Sequence, residues 1–287
     1  MAITRGGLPA QVSNDILQIA EKKSAVMQLA RKIPVTGRGV TVPVILGDAT
    51  AEWVAEGAQK PVSDANTTHK LLQPYKIAVI DTYSKELVRD EHAFYEALVG
   101  RLPGSLAKVF DSTVAGGTTK PGTNFTQLSD TSNAGVEVAG NDAYADLVGI
   151  MSTIAQKGGL LNGYALGAQG QAALLGATDT TGRPLFAAGT EAGTLQPILG
   201  GIARVGEGIY AAAASEQGAN TIGYAGDWSQ AAWGTVADVE LEISEEATLK
   251  LANNQTVNLW QNNLVAVKAE IEIGFVANAD VFVAITD

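Results

Sequence analysis

The chain has 287 residues, 46% of them hydrophobic and 17% charged, with a net charge of −11. That balance excludes a disordered chain and tight nucleic-acid binding through the bulk surface, and the absence of cysteine excludes disulfides and thiolate metal sites. No apolar run approaches the ~20 residues that span a bilayer, and the opening MAITRGGLP has no secretion-signal block, so a product made and kept in a cytoplasm is expected.

Residues 1–8 read as a mobile arm, hinged by Gly6, Gly7 and Pro9. A helix should follow with Ser13 as N-cap, placing Ile16, Ile19, Ala20, Met27 and Ala30 on one face. It should stop before Pro34, because the residue preceding proline is driven out of the α region. Val40, Val42, Val44 and Leu46 alternate as in a strand, residues 52–56 suggest a second short one, and residues 71–82 return as extended chain broken at Pro74. Together they predict a long hairpin whose tip, residues 57–66, is too polar to be buried within its own subunit; loops of this length are functional or disordered.

The spacing next predicts a long helix over residues 92–115, about 36 Å at 1.5 Å per residue. Phe94, Leu98, Leu102, Leu106, Val109 and Phe110 fall on its apolar arc, and Glu96, Arg101, Lys108 and Asp111 on its polar arc. Pro103-Gly104 should kink it. Residues 116–140 read as loop. A helix over 141–156 ends at Gly158-Gly159, and short strands with one short helix (169–175) fill 164–205. From residue 221 the chain turns mainly to strands: 222–225, 239–243, 264–273 and 281–285. Val265, Val267, Ala269, Ile271 and Ile273 alternate there with Lys268, Glu270 and Glu272.

Signs of catalysis are sparse. The two histidines, His69 and His92, have no partner at metal spacing and read as exposed. Gly206-Glu-Gly208-Ile-Tyr-Ala211 matches the loose dinucleotide pattern, but Asp227, the acid 16 residues after Ala211, sits in a Gly-Asp-Trp turn rather than at a strand end. An ordinary glycine-rich turn is the better reading. Three glycosylation sequons at Asn66, Asn124 and Asn254 lack the secretion context that would give them meaning. Glu240, Glu242, Glu245 and Glu246 read as a solvated strand edge rather than a calcium loop. No cofactor and no metal are expected. The arm, the hairpin and the long helix cannot satisfy themselves and point to neighbours in a large assembly.

Three groups of residues carry a resemblance over nearly the whole chain, from about residue 10 to the end. The first runs through Glu52-Trp-Val-Ala-Glu-Gly57, Lys60-Pro61-x-Ser63-Asp64 and Ser84-Lys-Glu-Leu-Val-Arg-Asp90. The others are Gly226-Asp227-Trp228 with Asn262-Asn-Leu-Val-Ala-Val-Lys-Ala-Glu270, and Ala279-Asp-Val-Phe-Val-Ala284. Their order resembles the major capsid proteins of tailed bacteriophages. The resemblance implies an α+β Hong Kong 97-type capsid fold. Its parts would be an N-terminal arm and helix (1–36), an extended loop (37–83), a peripheral domain with a spine helix (84–140), an axial domain (141–224) and peripheral C-terminal strands (225–287).

It further implies a virion shell protein that assembles in the host cytoplasm as pentamers and hexamers around double-stranded DNA, gripping no particular sequence. A separate scaffold, a portal and a maturation protease would be its partners; the initiating Met at the head of the arm favours a separate scaffold. The kinked helix would accommodate a change of shell shape. Trp53, Glu56 and Lys60 would make intersubunit contacts. Some relatives weld subunits by an isopeptide bond between a loop Lys and a neighbour's Asn, with a Glu taking the proton; the matching positions are Lys60, Asn263 and Glu270. An encapsulin-type compartment around a cargo enzyme is the alternative within this fold, and a dehydrogenase built on residues 206–211 is the rival of another class.

Overall fold

The computed structural model describes residues 10–45, 53–54, 67–138, 142–179, 181–186, 195–213, 219–250 and 254–287. The arm at 1–8, the loop tip at 57–66 and most of the strand expected at 52–56 lie outside them.

The first helix, α1 (Ala10–Lys23), buries Val12, Ile16, Leu17 and Ala20 and ends on Lys22 and Lys23, which suit the negative end of the helix dipole. Ser13 lies inside α1 and caps nothing. The cap in this region is Ser24, whose hydroxyl accepts the Met27 amide (3.0 Å) and starts a separate short helix, α2 (Ala25–Leu29). The chain then adds β1 (Arg31–Lys32) and β2 (Val40–Ile45). β2 pairs antiparallel with β3 (Thr67–Leu72), Val40 opposite Leu72 and Ile45 opposite Thr67, as the hairpin reading required. Pro74 separates β3 from β4 (Tyr75–Ser84).

After α3 (Lys85–Arg89) comes the long helix, α4 (Glu91–Ala115). Asp90 caps it through the Ala93 amide (3.2 Å), and Gly116 closes it at φ 86°, a conformation costly to any side chain. The helix runs through Pro103-Gly104 without interruption. Phe94, Leu98, Leu102, Leu106, Phe110 and Val114, each four residues apart, form one buried row. Two expectations for α4 fail. Val109 is exposed, and Asp111 is fully buried. The periodicity reading allowed α4 one covered face, whereas α2 and the turn at 206–208 cover a second side of its C-terminal half.

The remaining elements are β5 (Val136–Glu137), α5 (Ala143–Gln156), β6 (Gly163–Leu166), α6 (Ala168–Gly176), β7 (Ile202–Val205), β8 (Thr221–Gly226), β9 (Ala231–Thr235), β10 (Glu240–Ser244), β11 (Thr248–Lys250), β12 (Thr256–Asn258), β13 (Leu264–Ala277) and β14 (Phe282–Thr286). Two five-stranded sheets result. In the first, β13 is the spine: β4 runs along one edge for ten residues, β10 and then β9 share the other, and β1 extends β9 in parallel. The second has the order β5-β14-β8-β6-β7, so the C-terminal strand β14 lies beside β8 rather than in the first sheet.

One core packs α1, α2 and α4 against the first sheet, with Trp233, Phe275, Phe110 and Phe282 among its largest members. A second lies under α5 and α6. A third, small one (Val35, Val42, Leu72, Ala232 and Val276) fastens the base of the β2–β3 hairpin to the first sheet.

Candidate functional site

Three places among the described residues bear on the expected contacts with a neighbouring copy. Trp53 stands fully exposed on the long connection between β2 and β3. An indole buries a large area at small entropic cost, so a fully solvated one can anchor a partner that covers it. Glu56 and Lys60 lie outside the described residues.

The second place is the turn before β13. Asn258 builds it: its side chain accepts the Gln261 amide (3.0 Å) and its carbonyl accepts the Asn262 side-chain amide (2.8 Å). Leu259 is buried beneath the turn, and Trp260 is about two-thirds exposed on top. Asn263 closes it in the left-handed region at φ 51°, with its carbonyl accepting the Lys85 amide (3.0 Å). Sequence reasoning missed Trp260; its only signal was an aromatic in a run of Asn and Gln.

The third place is the outer face of the first sheet, where β13 alternates as expected. Lys76, Glu270, Lys268 and Glu242 form a chain of alternating charges across β4, β13 and β10, with successive separations of 3.3, 3.4 and 2.7 Å. Lys76 is the main cause holding the Glu270 carboxyl below its ordinary value, with Lys268 assisting. Glu242 does most to raise Lys268. A carboxylate paired in this way is a poor proton acceptor. Seven residues of extended strand, about 23 Å, separate Asn263 from Glu270. The two could therefore serve one lysine only as contributions from different copies.

Elsewhere in the acidic cluster Glu245 pairs with Lys85 at 3.1 Å, and Glu240 and Glu246 are exposed. Among the described residues no three metal-binding side chains converge. The Gly206–Ala211 pattern starts no helix. Its glycines admit close packing: a Cβ on Gly206 would lie 2.5 Å from Asp111 Oδ2, and one on Gly208 would collide with the Lys108 carbonyl oxygen. Asp227 is a buried turn anchor, accepting the amides of Leu160 (3.0 Å) and Ser229 (3.1 Å) and the Asn162 side chain (3.0 Å). Burial works to raise its carboxyl, but the Ser229 hydroxyl, the Leu160 and Ser229 amides and the Gln230 side chain outweigh burial and hold it below its ordinary value. His92 is exposed beside Glu96 at 3.6 Å.

A cleft of about 540 Å³ opens between β3, residues 120–130 and residues 276–280. Lys70 reaches across it to the Ala277 carbonyl (2.7 Å) and pins the hairpin base to β13. Burial pulls the Lys70 amine below its ordinary value against the pull of Asp280 and Asp130. Lys120 and Asp130 close one wall as an ion pair at 2.6 Å. The cleft carries the Lys120–Asp130 ion pair and the Lys70 contact to a backbone carbonyl, so this arrangement can fasten elements and meet a partner. Among the described residues, no helix is long and apolar enough to cross a membrane.

Comparison with known proteins agrees with this geometry. Residues 6–275 match the model of the phage capsid family. The chain is 31% identical over 290 residues to the probable major capsid protein gp17 of Mycobacterium phage D29, covering 99% of this chain and 91% of that one. It is 33% identical over 295 residues to the probable major capsid protein gp17 of Mycobacterium phage L5, covering 98% and 90%. A solved structure from Mycobacterium phage Adephagia superposes with a TM-score of 0.67 over 92% of this chain and 89% of that one, at 19% identity, which shows a shared fold. The α+β architecture is the Hong Kong 97-type capsid fold. With a family match spanning nearly all of its length and two relatives above 30% identity, the chain belongs to the phage capsid family.

Proposed function

We propose that this chain is the major capsid protein of a tailed phage, self-assembling as pentamers and hexamers into an icosahedral virion shell around double-stranded DNA. The observation that carries this reading is the match to two phage major capsid proteins over nearly the full length of all three chains. The architecture supports it. A two-stranded hairpin is marginal alone, and among the described residues β2–β3 is anchored at its base, by the small core around Leu72 and the Lys70 contact to Ala277. The connection beyond it carries the exposed Trp53. On this reading Trp53, Glu56 and Lys60 lie across a neighbouring copy. No observation favours a cargo compartment.

The division into arm, extended loop, peripheral and axial parts belongs to the same proposal, as do a separate scaffold, a portal, a maturation protease and assembly in the host cytoplasm. The net charge of −11 suits a shell that confines DNA without gripping its phosphates. The chain's part is structural rather than catalytic. Lys60, Asn263 and Glu270 are contact residues in this account, because the paired Glu270 is a weak base for welding. Denaturing electrophoresis of mature particles tests that point. A single band at the monomer mass of 29.6 kDa is expected; a ladder of covalent multimers lost in Lys60→Arg would establish welding instead.

A further inference from the structure

We propose that Asp111 is a proton-linked latch fastening α2, on the arm side of the molecule, to the long helix α4. Its carboxyl group is buried where three elements meet. Ser24 donates its hydroxyl to it, and Ala25 and Val26 donate their amides at 2.9 and 3.4 Å. The turn at 206–208 closes the third side: a Cβ on Gly206 would stand 2.5 Å from the carboxyl and 3.0 Å from the Ala25 Cβ. Among the described residues, no charged side chain pairs with the Asp111 carboxyl. Lys22 and Lys23 of α1, Lys108 of α4 and Glu207 of the turn are exposed, Arg204 of β7 is half-buried, and α2 and β6 carry none.

An ionised carboxyl here carries charge in a dry place without a cation, whereas a neutral one does not. Ser24 serves both forms. Its hydroxyl already accepts the Met27 amide (3.0 Å), and it can donate to a carboxylate or accept from a carboxylic acid. Burial is the largest influence on Asp111 and pushes its carboxyl from 3.8 up to about 7, against the lowering effect of its three hydrogen bonds. When α2 opens, water reaches the group and its ordinary value returns. The closed-state value lies above the open-state value. The latch is therefore tightest below pH 3.8, loosens as pH rises toward 7, and changes no further once both states are ionised.

Hydrogen-exchange mass spectrometry on the full chain, corrected for the intrinsic pH dependence of amide exchange, tests this at pH 5 and pH 8. Protection over residues 24–30 should fall on the order of 100-fold, at tenfold per unit across the interval from pH 5 to 7, while β13 stays level. Asp111→Asn should abolish the fall. Ser24→Ala, which removes one of the bonds that lower the carboxyl, should move its midpoint to higher pH. Protection over 24–30 that tracks β13 in the unmodified chain would overturn the proposal, and so would a fall that persists in Asp111→Asn. The unmodified chain alone decides the matter if the variants do not fold.

Discussion

Two buried aspartates show how the donor set decides what a carboxyl does. Asp227 receives donors from Leu160, Asn162, Ser229 and Gln230, and together they keep it ionised; Asp111 receives three and is enclosed completely. Removing the Asp227 carboxylate orphans several donors at once, so Asp227→Ala should cost about 2–4 kcal/mol in chemical unfolding. The pH dependence has the opposite sense to that of Asp111. The folded value of Asp227 is depressed, so its contribution is present above the ordinary carboxylate range and is lost as pH falls through the depressed value. Stability measured from pH 5 down to pH 2 should drop more steeply in the unmodified chain than in Asp227→Asn. Neither role was legible in the sequence, where Asp227 stood in a recognisable turn but without its distant donors at 160–162, and Asp111 sat at a polar angle of its helix.

At the scale of elements, α4 is the member on which the first core is built. Its buried row at four-residue spacing was readable from periodicity alone. Leu102, at the centre of that row, should cost about 2–5 kcal/mol when truncated to Ala, measured as a fall in the unfolding midpoint. Elements with a strong period were legible in this way: α4, β13, β2 and β14, whereas β3 begins four residues before its expected start at Leu71, because Thr67-Thr-His69 is polar and shows no period. The ones missed have physical reasons. β9 is covered on both faces and shows no alternation in Ala-Ala-Trp-Gly-Thr; β11 and β12 are three residues each, with one apolar residue apiece (Leu249 and Val257), too short to show a period; β1 exists only through its parallel pairing with β9. β13 outruns its expected end at Ile273 because Gly274 lets Gln73 approach closely, and the strand then continues against β9 to Ala277. The break between α1 and α2 was invisible because the acceptor that stabilises it, Asp111, lies 87 residues from Ser24.

For the whole molecule, the apolar and polar surfaces divide by purpose. The two large cores take in Trp233, Phe275, Tyr164 and Phe282, while Trp53 and Trp260 stand exposed on connections between strands. Trp53→Ala should leave the unfolding midpoint of the isolated subunit within about a degree. If the side chain is a hot spot worth about 2 kcal/mol or more, the same change should raise the concentration needed for assembly more than tenfold. Light scattering during assembly checks this. The candidate contact set was legible only through resemblance, because its physical meaning depends on other copies: one subunit leaves Asn263 and Glu270 about a full strand length apart.

Electron microscopy of the purified full-length protein, across protein concentration and with and without a co-expressed scaffold, tests the central claim most directly. Closed shells of uniform diameter with fivefold and sixfold clusters are expected. Material that remains a single subunit under every one of those conditions would contradict the account.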